Sequence, residues 1–187
     1  MRILGIDPGT RVVGFGCLEL VSGRTAPPGV LRSRNSVAAV HGPGRHRLVE
    51  AGVLRLGDSG VPIERRLLDL AEGLDRLIAR LGPAVLAVEE AFFGKSVQSA
   101  LRIGEARGAV LVAAARAGLP VAQYPPATIK LRVAGAGGAS KQALARMVEA
   151  GLGARDLPLD ASDALAVAWC HALSTEGRVR PETPMGG

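Results

Sequence analysis

Residues 3–20 read ILGIDPGTRVVGFGCLEL and decide the fold class of this chain. The apolar run at residues 3–6 ends at Asp7, and the Pro-Gly pair at residues 8–9 is a turn signal. The next run, residues 12–20, is rich in residues that favour strands and includes two small glycines. Two strand-like runs joined by a short turn that contains glycine predict a β-hairpin.

The apolar pattern downstream of the hairpin predicts further strands and helices. Three more strands are predicted at residues 48–56, 85–88 and 121–124. Four helices are predicted at residues 63–81, 96–117, 140–150 and 160–172. This order predicts an α/β domain with a five-stranded mixed sheet and helices on both faces. Strands 1–3 form its antiparallel part, and strands 4 and 5 are added in parallel.

Length and composition indicate one soluble domain. The chain has 187 residues, of which 48% are apolar, so it can bury the core of one domain. Only 3% are aromatic, which argues against modules that stack nucleobases on aromatic side chains. Cys17 and Cys170 lack CxxC spacing and are interpreted as reduced core residues of a cytoplasmic protein. No apolar stretch is long enough to span a membrane, and Asp7 comes too early for a signal-peptide core.

Four acidic residues lie at the ends of predicted elements. Asp7 and Glu89 end the first and fourth strands. If those strands are parallel neighbours, both acids lie at the carboxyl edge of the sheet, where open α/β sheets bind ligands. Asp160 and Asp163 are three residues apart at the start of the last helix and can share one face. Strand alternation predicts that Glu90 points away from Glu89.

Together, these carboxylates indicate a divalent metal site. Several ionised carboxylates within a few ångströms need a compensating charge, and Mg²⁺ prefers oxygen ligands. Two ions roughly 3.5–4 Å apart would suit phosphoryl transfer, whereas no His/Cys cluster suits zinc. Taken singly, Asp7 is explained equally well as a turn former, and Asp160 is better explained as a helix cap. Glu89 is harder to explain, because a Glu that ends an all-apolar strand is costly without a partner.

Four segments of the chain, in order, follow the pattern of a known family. They are LGIDPGTR at 4–11, AVEEAF at 87–92, GEARG at 104–108 and DASDALA at 160–166. In these segments the chain resembles RuvC, the bacterial Holliday-junction endonuclease family. The opening segment is also similar to those of actin-like ATPases and other RNase H-like nucleases, so the last segment carries most of the specificity. The resemblance implies an RNase H-like fold, a homodimer, cleavage of four-way DNA junctions with Mg²⁺ or Mn²⁺, and docking to the RuvA–RuvB branch-migration complex.

The resemblance also implies roles for individual residues. By position, Asp7, Glu89, Asp160 and Asp163 match the metal-binding catalytic acids. The ions would activate a water for in-line attack on phosphorus, which leaves a 5′-phosphate and a 3′-hydroxyl. A two-fold dimer would nick two strands of like polarity and resolve the junction symmetrically.

Four other residues are candidates for contact with DNA. Lys130 and Lys141 match basic positions that contact the scissile region or neighbouring phosphates and are therefore also candidate catalytic residues, although ordinary solvated lysines would explain the same pattern. Phe92 matches an aromatic that the family places against junction bases, with simple core packing as the alternative. Lys95 is a further candidate for DNA binding.

One nuclease domain is predicted over residues 1–174, followed by a flexible tail at 175–187. Relative to the usual family pattern, residues 22–47 hold an insertion. It contains five arginines and no acid, and so carries +5 of the chain's formal net charge of +6. A basic excess favours a polyanionic partner. The insertion is interpreted either as a basic arm along a junction duplex or as a solvated hairpin extension.

Three other functions are weighed against junction cleavage. Another RNase H-like nuclease, such as a YqgF-like or RNase H-like enzyme, would share the opening segment but not the late Asp-x-x-Asp helix. An actin-like phosphotransferase needs a second lobe, for which 187 residues leave no room. A junction-binding protein without cleavage would not need all four acids.

Overall fold

The computed structural model describes residues 1–21, 31–33, 36–41, 46–58, 60–90 and 97–176. The strands in these ranges are β1 (Arg2–Asp7), β2 (Val12–Leu20), β3 (Leu31–Ser33), β4 (Ser36–His41), β5 (His46–Arg55), β6 (Val85–Glu89) and β7 (Val121–Tyr124). The helices are α1 (Ile63–Leu81), α2 (Val97–Arg116), α3 (Pro126–Ala134), α4 (Lys141–Leu152) and α5 (Leu159–Glu176). None of these helices is both long and apolar enough to cross a bilayer.

The strands form one mixed sheet in the order β3-β4-β5-β2-β1-β6-β7. β2 pairs antiparallel with β1 and β5, whereas β6 pairs parallel with β1 and β7. The five strands predicted from the sequence are therefore present with the predicted directions. β3 and β4 extend the sheet beyond β5, inside segment 22–47, where prolines, glycines and arginines obscure the strand pattern. Backbone hydrogen bonds form these pairs, and such bonds do not require an apolar composition.

The structure contains one helix that the sequence does not predict, and the bounds of two other elements place residues differently from the prediction. Helix α3 is additional; it has nine residues and buries only two apolar side chains, which is too weak a pattern to detect. β5 begins at His46, so the last two residues of segment 22–47 belong to the sheet. α5 continues to Glu176, so Thr175 is helical rather than part of a tail. Its hydroxyl donates to a backbone carbonyl one turn earlier, at 3.0 Å.

Glycines on β1 and β2 allow the backbone of α5 to lie directly against the sheet. A Cβ atom at Gly5 would lie 2.1 Å from the carbonyl oxygen of Ala164, and one at Gly14 would lie 1.9 Å from that of Asp160. Glycine in a strand is typical of such close backbone approach. Because Gly14 pairs with Asp7 across the hairpin, the first turn of α5 is held beside the end of β1.

The sheet separates two buried clusters. α1 and α2 cover the face that includes Leu4 and Ile6, whereas α3, α4 and α5 cover the face that includes Ile3. Successive side chains of β1 therefore alternate between the two helical layers. Cys17 and Cys170 are buried free thiols, one in each cluster, which confirms their prediction as core residues.

Candidate active site

Asp7 and Glu89 end two neighbouring parallel strands at the carboxyl edge of the sheet. Ile6 of β1 is paired with Val88 of β6, and the two acids are the next residues along their strands. Ile6 and Val88 both belong to the cluster under α1 and α2. Because side chains alternate along a strand, Asp7 and Glu89 point to the other face, which α5 covers.

The first turn of α5 brings two more carboxylates to this edge. The backbone of Asp160 touches β2 at Gly14, the sheet partner of Asp7. Asp163 follows three residues later, on the same side of the helix. Its side chain is only 12% exposed and lines one cavity together with Asp7 and Glu89. The fold therefore gathers the four acids that the sequence places far apart.

A cavity of about 610 Å³ opens over three of these acids. Its charged lining includes Asp7, Glu89 and Asp163 as well as Lys130 and Lys141. Asp160 does not line this cavity, but its negative charge contributes to the raised pKa of Asp7. The apolar part of the lining comes from α2, α3 and α4 and includes Leu101, Ile103, Ile129 and Leu144.

Burial and mutual repulsion disfavour the ionised form of the acids. The pKa of Asp7 rises from 3.8 to about 7, first because the carboxyl is buried and then because Asp163 and Glu89 lie near it. The pKa of Glu89 is also raised, first by burial and then by Asp163. Lys141 lowers both pKa values and Lys130 lowers that of Glu89, but neither lysine cancels the rise. The site is therefore short of positive charge.

The two candidate lysines reach the site from different helices. Lys141, the first residue of α4, donates from Nζ to Oδ2 of Asp163 at 2.7 Å, and this contact raises the pKa of Lys141. Its side chain remains 66% exposed, so it can exchange Asp163 for another partner. Lys130 of α3 is half-buried in the cavity wall. The other two candidates for DNA contact, Phe92 and Lys95, lie outside the described residues.

The chemistry of the donor set suits a hard divalent cation. Asp7, Glu89, Asp160 and Asp163 offer only carboxylate oxygens, which Mg²⁺ and Mn²⁺ prefer. Within the described ranges, however, no three acidic, histidine or cysteine side chains are yet arranged around one point as metal ligands. Lys141 occupies Oδ2 of Asp163 and leaves its Oδ1 for another partner.

Two residues of the cavity have no role in the sequence prediction. Glu90, the residue after the end of β6, lines the same cavity as Glu89. Arg107 of α2 also lines the cavity. It donates from Nε to the backbone carbonyl of Glu89 at 3.4 Å and from its guanidinium to the side chain of Gln123. Arg107 lies within the GEARG segment, but one arginine in a helix gives no signal for such a contact.

Comparison with known proteins identifies the family of this chain. A family model described as crossover junction endodeoxyribonuclease RuvC matches residues 25–171. The chain belongs to the RuvC family. RuvC of Chloroflexus aurantiacus is 44% identical over 176 residues, which are 93% of this chain and 94% of that protein. The match to the family model includes most of segment 22–47 and contains Glu89, Asp160 and Asp163.

Solved RuvC structures share the fold of this chain. The structure of Thermus thermophilus RuvC matches it with a TM-score of 0.75 and 33% identity, over 95% of this chain and 97% of that one. T. thermophilus RuvC in complex with Holliday junction substrate gives the same TM-score at 30% identity, over 95% and 96% of the two chains. These matches confirm the RNase H-like fold that the resemblance implies.

Proposed function

We propose that this protein is a structure-selective endonuclease that resolves four-way DNA junctions by paired, symmetric nicks in recombination and repair. The observation that carries the proposal is the convergence of Asp7, Glu89, Asp160 and Asp163 on one edge of an RNase H-like sheet. A RuvC relative has a solved complex with Holliday junction substrate, which supports the same class of DNA as the substrate here.

The residues of the site provide the charges that phosphodiester hydrolysis needs. The four carboxylates would hold two Mg²⁺ or Mn²⁺ ions, which supply activation of a water and stabilisation of charge on the phosphate. Asp7 must be ionised to serve as a ligand, and its pKa near 7 means that binding would release a proton near neutral pH. Lys141, once released from Asp163, and Lys130 would then pair with phosphate oxygens of the DNA.

An exposed apolar face on α2 supports the homodimer in this proposal. Val97, Leu101 and Val112 are 77%, 64% and 57% exposed and recur at helical spacing. Gly104 and Gly108 lie between them, and within the described residues nothing comes within 4 Å of a Cβ added at either glycine. The small-residue face is therefore not used inside the described fold. A second copy packed here would bury it and pair two active sites by two-fold symmetry.

Two further expectations belong to the proposal. Both cysteines are buried free thiols, which suits a reducing compartment, and we therefore place the protein in the cytoplasm. The RuvA–RuvB complex is included as a partner on family resemblance alone.

A nicking assay tests the reaction, the substrate and the cofactor together. A four-way junction labelled on each arm is incubated with Mg²⁺, Mn²⁺ or EDTA, beside a linear duplex and an RNA–DNA hybrid of the same sequence. We expect symmetric nicks in the junction alone, none in EDTA, and none with Asp7→Asn, which should still bind the junction. Preferential cleavage of the hybrid would favour an RNase H-like activity, and binding without nicking would favour a junction-binding protein.

A further inference from the structure

A second cavity, of about 350 Å³, adjoins the carboxylate cavity and has a basic lining. Three arginines line it, namely Arg11, Arg66 and Arg102, and no acid is among the described residues that line it. We refer to it as the arginine cavity. Ile103 lines both cavities, so they are neighbours. Nothing in the proposed nuclease mechanism uses these arginines.

Arg66 is held in place by the fold and still has capacity to bind. Its Nη1 donates to the carbonyl oxygen of Thr10 at 2.7 Å, which fixes the guanidinium against the turn that follows Asp7. Its Nε is buried and has no hydrogen-bond partner in the described part of the chain. A buried N–H of a charged group is costly when unpaired, and proteins satisfy such groups with water or a bound ligand.

The other charges converge on Arg66 from two elements. Arg11 belongs to the turn between β1 and β2, and none of the ion pairs found between described residues involves Arg11 or Arg66. Arg102 contacts Glu105 at 3.1 Å, but both side chains are exposed, and such a surface pair is weak enough to exchange. Gln98, in the first turn of α2, adds a polar side chain at the positive end of the helix dipole.

We propose that the arginine cavity binds a backbone phosphate of the cleaved strand, close to the scissile phosphate. The proposal rests on the nuclease function argued above. Converging guanidinium groups are well suited to phosphate, because each can donate two parallel hydrogen bonds. Such a contact reads no bases; it fixes which phosphate of the strand enters the carboxylate cavity.

The spacing of the two cavities fits neighbouring phosphates. Asp7 lies in one cavity and Thr10 in the other, and a chain segment of three residues spans at most about 10 Å. Successive phosphates of one strand are about 3.4 Å apart along the helix axis. A strand whose scissile phosphate lies at the carboxylates therefore places a phosphate no more than about three nucleotides away at the arginines.

Neutral phosphates placed in the substrate test this contact. Junctions are made with a single methylphosphonate at each position within three nucleotides of the cut, and their affinity is measured in EDTA. The test variant combines Arg11→Gln and Arg102→Gln and keeps Arg66, which supports the turn. The control combines Arg65→Gln and Arg116→Gln, two exposed arginines of α1 and α2 that pair with acids and lie outside the cavity.

We expect one methylphosphonate position to weaken binding about tenfold for the wild type and the control. The test variant should bind the unmodified junction about tenfold more weakly and lose clearly less than the wild type at that position, where only Arg66 remains. The slope of log K against log salt should also become shallower, by up to about 0.9 for each protomer of the dimer, the value of one phosphate contact. If the loss of affinity caused by the test variant and the loss caused by a methylphosphonate simply add at every position, the proposal is overturned.

A second measurement observes the arginines directly and, like the affinity in EDTA, does not depend on cleavage. The Nε–H signals of the arginines are followed by NMR while a short single-stranded oligonucleotide is added. We expect the signals of Arg11, Arg66 and Arg102 to shift and that of Arg65 to stay. If the signals shift but junctions are not nicked, the nuclease proposal fails and the phosphate site stands. If junctions are nicked but no signal shifts and no coupling is found, the arginine-cavity proposal fails by itself.

Discussion

Replacing Asp7 by asparagine should make the metal-free protein more stable, although it removes a proposed catalytic acid. The Asp7 carboxyl is buried beside Asp163 and Glu89, and its pKa is raised from 3.8 to about 7. Asparagine has nearly the same shape but no charge. The substitution therefore removes the repulsion without opening a cavity.

The size and sign of the effect follow from the pKa. The folded protein binds the Asp7 proton more tightly than the unfolded chain, so the free energy of unfolding falls as pH rises from about 4 to about 7. At about 1.36 kcal/mol for each pH unit, the loss is at most about 4 kcal/mol. Asp7 keeps some contact with solvent, which weakens the effect, so we expect Asp7→Asn to raise the free energy of unfolding by about 1–3 kcal/mol at pH 7.5. Each kcal/mol corresponds to about 2–4 °C in Tm.

Urea unfolding in EDTA between about pH 4.5 and about pH 8 covers most of the window of about 4 to about 7 and measures this effect. Asp58→Asn is the matched control, because Asp58 is exposed and accepts a hydrogen bond from the Gly60 N–H that asparagine can also accept. The gain of Asp7→Asn should shrink towards the acidic end of the series. Adding Mg²⁺ should then stabilise the wild type more than the variant, because a ligand stabilises only the state that binds it. An Asp7→Asn protein no more stable than the wild type at pH 7.5 in EDTA would refute the reasoning.

Three other predictions concern packing, assembly and pH. Gly14→Ala should lower the free energy of unfolding, measured with urea, by at least about 3 kcal/mol, because its Cβ would lie 1.9 Å from a backbone oxygen of α5. Gly138→Ala is the control: the described residues leave open space around Gly138, so the free energy of unfolding should fall by less than about 0.5 kcal/mol. Leu101→Asp should sediment as a monomer, whereas Leu131→Asp, at a similarly exposed position on α3, should remain a dimer. A Leu101→Asp protein that is still a dimer would exclude the α2 face as the dimer interface. Lys141→Gln removes a charge that lowers the pKa of the buried acids, so the acid limb of the cleavage rate against pH should move to higher pH; an unchanged limb contradicts this role.

The positions of Asp7 and Glu89 could be predicted because local rules determine them. Each acid ends an apolar run of strand length, and the carboxyl ends of parallel strands share one edge of a sheet. The pairing of Ile6 with Val88 is the register that this reasoning requires. Asp163 could be placed near them because an otherwise apolar helix must pack on the sheet.

What the sequence could not predict depends on contacts between distant elements. Lys141 reaches Asp163 because α4 and α5 pack together, and no spacing in the sequence encodes that distance. The presence of Glu90 at the cavity depends on where β6 stops, which the apolar pattern leaves uncertain by a residue. β3 and β4 pair through their backbones in a segment whose composition is typical of a loop.

Departures from local rules are concentrated at the carboxyl edge of this sheet. Local rules explain other parts of the chain: Ser140 caps α4 with its side chain, and Gly82 ends α1 in a left-handed conformation. At the edge, the buried Asp7 is costly to ionise, and Arg66 keeps a buried N–H without a partner among the described residues. Gly14 provides no side chain at its position in β2. The buried acid and the unpaired N–H each lower stability by themselves and would be relieved by bound cations and phosphates, whereas Gly14 lets the first turn of α5 reach this edge. Local unfavourable choices that one ligand class would relieve together are what a functional edge requires.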